Sequence, residues 1–198
     1  MTFRLDVGWI SLSDSLREKL DLYTDLLLTW NQKIRLTGYT TREEIRRHLI
    51  LESLLVFELL RDRFPAEILD FGSGNGTPGL LIGLLNPDCR VLLLERIEKK
   101  RIFLEYATTH LGLSNTTTRP ALTHPIDSPF IMMKAITTED LLAAPAIKKY
   151  TSGPLTLLRF GTEIHSACIP LSSYVITGGV EPWGEKTCLS LTESIYQG

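Results

Sequence analysis

The chain has 198 residues, 43% of them apolar and 22% charged, which is the balance of a core-forming globular domain and excludes a disordered segment. A net charge of −2 excludes bulk electrostatic attraction to nucleic acid, so any such contact needs a local basic patch. Cys89, Cys168 and Cys188 fit no zinc spacing, and no apolar run near the start is long enough for a signal peptide or a membrane span; a cytoplasmic protein without metal or membrane partner is expected.

The first 65 residues read as a helical extension. Ser15 with Glu18 has capping-box spacing, and Leu16, Leu20, Tyr23, Leu27 and Trp30 follow at steps of three and four, one apolar face. Thr41 with Glu44 repeats the capping signal, and Ile45, Leu49, Leu55 and Leu59 suit a second helix ending before Pro65. From residue 66 the pattern alternates. Strands are expected at Glu67–Phe71, 90–95, Phe130–Met133, Leu155–Phe160, 173–177 and 187–191, and helices at Gly79–Leu85, Glu98–Leu111 and 138–144. Gly178-Gly179 reads as a turn between the last two strands, which lie too close for a helical crossover and are expected as an antiparallel pair at one edge. Residues 1–198 therefore read as one α/β domain: a mostly parallel sheet over 66–198 with helices on both faces, an antiparallel edge strand and an N-terminal helical cap.

The strongest local signal is the run from Asp70 through Phe71, Gly72, Ser73, Gly74, Asn75, Gly76, Thr77 and Pro78 to Gly79. It follows a strand and opens a helix, the context a nucleotide-binding glycine loop requires. Glycine permits sharp turns and close approach of a ligand to the main chain. Glu95 ends the next strand, placed to accept hydrogen bonds from ribose hydroxyls. A tight structural turn with an incidental acid is the bland alternative. A dinucleotide site normally opens its fold, whereas here some 65 residues precede the loop, an arrangement that suits a methyltransferase better than a nicotinamide oxidoreductase.

Residues 30–104 carry a more specific likeness. Trp30-Asn31, Leu36-Thr37, Arg47-His48-Leu49 with Glu52-Ser53-Leu54, the glycine loop closed by Pro78-Gly79, and Lys99-Lys100 with Phe103-Leu104 fall in order. In these the chain resembles the bacterial small-subunit rRNA guanine-N7 methyltransferase G family, also called glucose-inhibited division protein B. The resemblance implies a Rossmann-like class I fold, S-adenosylmethionine as cofactor, and small-subunit rRNA or the ribosomal subunit as partner. It implies that Asp70, Gly72, Ser73, Gly74, Gly76, Pro78 and Glu95 bind the cofactor, with Glu95 where the family more often has aspartate. Arg47 and His48 would line the entrance near the substrate, with Lys134 and Arg159 from the later motifs completing the catalytic side. Arg42, Arg46, Arg47, Lys99 and Lys100 would face RNA.

The later motifs depart from the family. Met133-Lys134-Ala135-Ile136 stands where the family has Ser-Arg-Ala-Phe, and Leu158-Arg159-Phe160-Gly161 where it has Leu-Lys-Gly. Lysine keeps the charge of arginine but loses its planar fork. The stretch from Thr116 to Ala121 lacks the family's arginine-glutamate element and is several residues short. These departures keep two alternatives open: a catalytically silent, cofactor-binding protein associated with the ribosome, and a methyltransferase with a non-RNA substrate. The basic residues also have an ordinary reading as solvated helix faces, Arg42, Arg46 and Arg47 pairing with Glu43 and Glu44, and Lys99, Lys100 and Arg101 with Glu98 and Glu105. Trp30 is expected in the core.

Overall fold

The computed structural model describes residues 1–127, 129–161, 166–181 and 183–197. One eight-stranded sheet organises it. Its strands are β1 (Thr2–Ser11), β2 (Glu67–Phe71), β3 (Arg90–Leu94), β4 (Thr116–Arg119), β6 (Phe130–Met133), β8 (Leu155–Phe160), β9 (Cys168–Glu181) and β10 (Glu185–Tyr196). They lie in the order β1-β9-β10-β8-β6-β2-β3-β4, while two-residue β5 (Ile126–Asp127) and β7 (Thr151–Ser152) pair separately. β2 pairs in parallel with β3 and β6, β3 with β4, and β6 with β8; β10 runs antiparallel to both its neighbours. The helices are α1 (Asp14–Asn31), α2 (Arg42–Ile45), α3 (Leu51–Leu60), α4 (Gly79–Leu85), α5 (Glu98–Leu111), α6 (Thr138–Ala143) and α7 (Pro145–Tyr150).

Two apolar cores follow. One joins α1, α3, α4 and α5 to one sheet face through Leu20, Leu27, Leu55, Leu81, Leu93 and Phe103. The other sets Leu141 of α6 and Ile147 of α7 against Leu69, Ile131, Met133 and Leu157. Full burial of one such side chain is worth about 1.5–3 kcal/mol, so these two layers fix the sheet between them.

Several local expectations hold for stated reasons. The capping box at Thr41 and Glu44 forms in both directions. Helix α5 stops at Gly112, which takes a left-handed φ of 68° that releases the chain. Trp30 packs edge-on against Phe103, at 5.8 Å between ring centroids.

Other expectations need correction. The first residues are not helical: Thr2–Ser11 is a strand, laid parallel on β9. The antiparallel β9–β10 pair forms, but β1 extends the sheet beyond it and is itself the edge. Helix α1 starts two residues before the proposed box, because Ser13 caps it by accepting from the Leu16 N–H at 3.2 Å. Gly178 and Gly179 lie inside β9 and make no turn. A Cβ on Gly178 would come within 2.5 Å of Val7 and 2.9 Å of Leu55, so this glycine lets β1 and α3 close onto the sheet. Between α2 and α3 the helix widens into a single π turn over Arg46–Ile50.

Candidate functional site

The glycine loop sits at the carboxyl end of β2, where parallel sheets place ligands. Asp70 is buried at 1% exposure, and its Oδ2 accepts from the Gly79 N–H at 3.1 Å, tying the strand end to the first turn of α4. Burial pushes the Asp70 carboxyl up to about 7, against the pull of that Gly79 hydrogen bond. Ser73 Oγ donates to the Asp70 carbonyl at 2.8 Å, and the Gly72 and Ser73 N–H groups donate to Leu94 O at 2.8 and 3.1 Å. Helix α1 braces the far side: the buried Tyr23 donates its hydroxyl to Asn75 O at 3.1 Å.

The four glycines differ in what they leave room for. A Cβ on Gly72 would meet Ile136 at 2.7 Å, one on Gly76 would meet Leu80 at 3.0 Å, and one on Gly79 would meet Asp70 Oδ2 at 2.4 Å. Those three glycines serve close packing within the protein. Gly74, with φ +52°, is different: a Cβ there would meet only Gly72 O, at 3.6 Å. The backbone at Gly74 is bare and faces open space.

Glu95 lies beside it, just past the end of β3. Its Oε2 accepts from the Gly74 N–H at 3.0 Å and its Oε1 from the Ile97 N–H at 2.8 Å. Each carboxylate oxygen offers two lone pairs, so both retain capacity for another donor. The side chain thus joins the tip of the glycine loop to the start of α5.

A second group assembles just past the end of β6, the strand paired with β2. Lys134, directly after β6, donates to the His48 carbonyl at 2.9 Å and to Glu52 Oε2 at 2.6 Å, and lies 5.2 Å from the Phe160 ring centroid. The His48 ring stacks on Tyr39 at 4.8 Å, with Nδ1 3.9 Å from Glu52 Oε1. The His48 carbonyl belongs to the π turn that joins α2 to α3. Within it the Leu51 N–H reaches back to Arg46 O, the His48 carbonyl accepts from the Lys134 side chain, and the Leu49 carbonyl accepts from the Ser53 hydroxyl at 2.6 Å.

The structure therefore brings Lys134 and His48 together and adds Glu52, Tyr39 and Phe160. Glu52 was quoted in the sequence only as part of a motif; no local signal points to Tyr39 or Phe160. Arg159 is not part of the group. It pairs with Met133 and Thr192 in the sheet, and strand alternation puts it on the face opposite Phe160.

The basic residues separate as well. Arg42 pairs with Asp25, and Arg46 pairs with Asp21 at 2.8 Å while lying 5.1 Å from the Trp183 ring centroid. The partners are aspartates of α1 rather than the expected Glu43 and Glu44. Arg47 and Lys99 are exposed and Lys100 half-buried. Arg101 turns back to the carbonyls of Glu95 and Arg96, at 3.2 and 2.7 Å. Among the described residues no helix is long and apolar enough to cross a membrane, and no three His, Cys, Asp or Glu side chains gather as a metal site.

A family model described as rRNA small subunit methyltransferase G matches residues 16–141. A ribosomal RNA small subunit methyltransferase G from Moorella thermoacetica is 42% identical over 111 residues, 56% of this chain and 46% of that protein. The relative of the same name from Wolinella succinogenes is 37% identical over 152 residues, covering 72% of this chain and 76% of its own length. The chain spans about half the length of several of the curated relatives it matches. Among solved structures, an RNA methyltransferase from Salinibacter ruber in complex with S-adenosyl-L-homocysteine superposes with a TM-score of 0.50 at 12% identity, over 75% of this chain and 90% of that one, a likeness of fold. By the extent of the family match, the chain belongs to the rRNA small subunit methyltransferase G family.

Proposed function

We propose that this chain is a single-domain, cytoplasmic methyltransferase that uses S-adenosylmethionine to methylate N7 of a guanine in small-subunit rRNA. The observation that carries the proposal is the bare backbone at Gly74 beside the Glu95 carboxylate, at the carboxyl edge of a parallel sheet, in a chain of this family. The residues fit the cofactor. Gly74 leaves space where any other residue would put a Cβ, and Glu95 has lone pairs free for ribose hydroxyls. Asp70, Ser73 and Pro78 act from behind by holding the loop and the start of α4 in register.

When bound, the cofactor supplies a methyl group on a sulfonium, open to attack by a ring nitrogen. Guanine N7 already carries an in-plane lone pair, so no residue need remove a proton. The chain's contribution is alignment of the two reactants and exclusion of water. Tyr39 and His48 offer a stacked flat surface for an unstacked base. Glu52 balances Lys134, so the product, a cationic ring, does not face an uncompensated ammonium. Arg47, Lys99 and Lys100 are the residues left for phosphate.

A second reading is favoured by one observation. The Lys134 ammonium, which stands where the family carries arginine, is already engaged by Glu52 and the His48 carbonyl. A silent cofactor-binding protein that rests on the ribosome fits that engagement. The deciding experiment incubates the protein and methyl-labelled S-adenosylmethionine with small subunits, and with their protein-free rRNA, from cells lacking this modification. Label in 7-methylguanosine supports the enzyme. Binding of S-adenosylhomocysteine without any transfer supports the silent protein, and label that survives ribonuclease in another fraction supports a non-RNA substrate.

A further inference from the structure

The outer edge of β1 is open: among the described residues no strand pairs with it. The Met1 carbonyl accepts from the Ser173 N–H at 3.0 Å on the inner side. Strand alternation then turns the N–H and C=O groups of Thr2, Arg4 and Asp6 outward. Natural edge strands are blunted by charged side chains, lysine above all, and by proline, bulges or short length. From Thr2 to Val7 this one has no proline and no lysine, its two charges, Arg4 and Asp6, are of opposite sign and can pair with a second copy, and Phe3 and Leu5 are 43% and 40% exposed. The ladder becomes irregular only between Asp6 and Trp9, where Gly8 takes φ +66° and its N–H donates to Asp6 Oδ1 at 2.9 Å.

We propose that this edge docks a second copy of the same chain, β1 against β1 in antiparallel pairing about a two-fold axis at Leu5. Charge selects the partner and the register. A two-fold axis normal to the sheet keeps each residue on its own face, so each allowed register centres on one residue of the strand; centring on Phe3 or Val7 sets Arg4 opposite Thr2 or Asp6 opposite Gly8 and pairs no charges. Centring on Arg4 sets arginine against arginine, and centring on Asp6 sets aspartate against aspartate. Only the axis at Leu5 places each Arg4 opposite Asp6 of the second copy. That register also matches the main chain. Arg4 and Asp6 are the residues whose backbone groups face outward, so each Arg4–Asp6 pair exchanges both of its main-chain hydrogen bonds. Leu5 meets Leu5 as a non-hydrogen-bonded pair, the closer type, and Phe3 lies opposite Val7. The bulge at Gly8 ends the regular segment on either side.

The test is sedimentation of the purified chain, from low to high micromolar, with charge-swap variants. The parent is expected to dimerise. Arg4→Asp and Asp6→Arg are each expected to raise the dimer dissociation constant about tenfold or more, since two attractive pairs become repulsive. The double variant Arg4→Asp/Asp6→Arg restores opposite charges and should recover dimers. So should an equimolar mixture of the two single variants, as a heterodimer. A parent that stays monomeric overturns the proposal, as do single variants that dimerise like the parent, or a mixture that stays monomeric while the parent dimerises.

Discussion

Lys134 donates to the backbone carbonyl of His48, 86 residues earlier in the chain, and so fastens the π turn to the end of β6. The same ammonium holds Glu52 Oε2 at 2.6 Å, with the two side chains only 24% and 17% exposed. An exposed pair contributes under about 1 kcal/mol, whereas breaking a largely buried one by removing a single partner costs about 3 kcal/mol or more. Glu52→Ala is therefore expected to lower stability by about 3 kcal/mol in urea unfolding. With Lys134→Met a double-mutant cycle should show coupling, the second loss being much smaller once the first partner is gone. Strict additivity would show that the two groups act independently.

Asp70 gives the fold a pH signature. Its folded carboxyl titrates near 7, above the ordinary value of 3.8, because it is buried. The folded state thus keeps a proton that the unfolded chain has released. The stability this confers is complete below about pH 4 and drains away as the pH rises to about 7, by on the order of 4 kcal/mol for a shift of this size. Asp70→Asn retains an oxygen to accept from Gly79 and has no proton to lose. Its melting temperature relative to the parent should climb between pH 4 and 7 and level off above. A constant difference across that range would contradict a raised Asp70.

The structure gives Glu95 two duties: holding the Gly74 and Ile97 amides, and offering its remaining lone pairs. Charge-assisted hydrogen bonds contribute about 1.5–3 kcal/mol each, so Glu95→Ala should weaken S-adenosylhomocysteine binding by about tenfold to a hundredfold or more. Turnover at saturating cofactor should change much less. Normal affinity with turnover abolished would move Glu95 from recognition to chemistry.

Arg42 and Arg46 pair with Asp25 and Asp21, so the proposed function looks to Arg47, Lys99 and Lys100 for contact with phosphate. If each neutralises one phosphate, replacing all three by alanine should flatten the log–log salt dependence of rRNA binding by about 2, at about 0.7 per phosphate for single strands. Arg42→Ala should leave that slope unchanged and lower stability slightly. An unaltered slope in the triple variant would place RNA elsewhere on the protein.

Much of the central fold is legible locally. Pro78 and Gly79 mark the start of α4, and Gly112 the end of α5, because each residue has one dominant backbone role there. The glycine loop and Glu95 are legible for the same reason. What escapes local reading is set by distant partners. Gly178 looks like a turn until Val7 and Leu55 are seen pressing on it. The π turn has no sequence signal, since the contact of its His48 carbonyl with Lys134 is made only in three dimensions. Strand β1 does carry a signal, the alternation of Phe3, Leu5, Val7 and Trp9, which the downstream helical pattern obscures. The site divides likewise: its loop is local, and the Tyr39–His48–Glu52–Lys134 group is assembled by tertiary packing.

The central claim is that the adenosyl cofactor binds over Gly74, and calorimetric titration with its demethylated product S-adenosylhomocysteine tests it most directly. The parent should bind one equivalent. Gly74→Val, shown by circular dichroism to be folded, should not bind, because its branched side chain fills the open space and strains a left-handed backbone. A parent that gives no binding, or a folded Gly74→Val protein with unchanged affinity, would contradict the account.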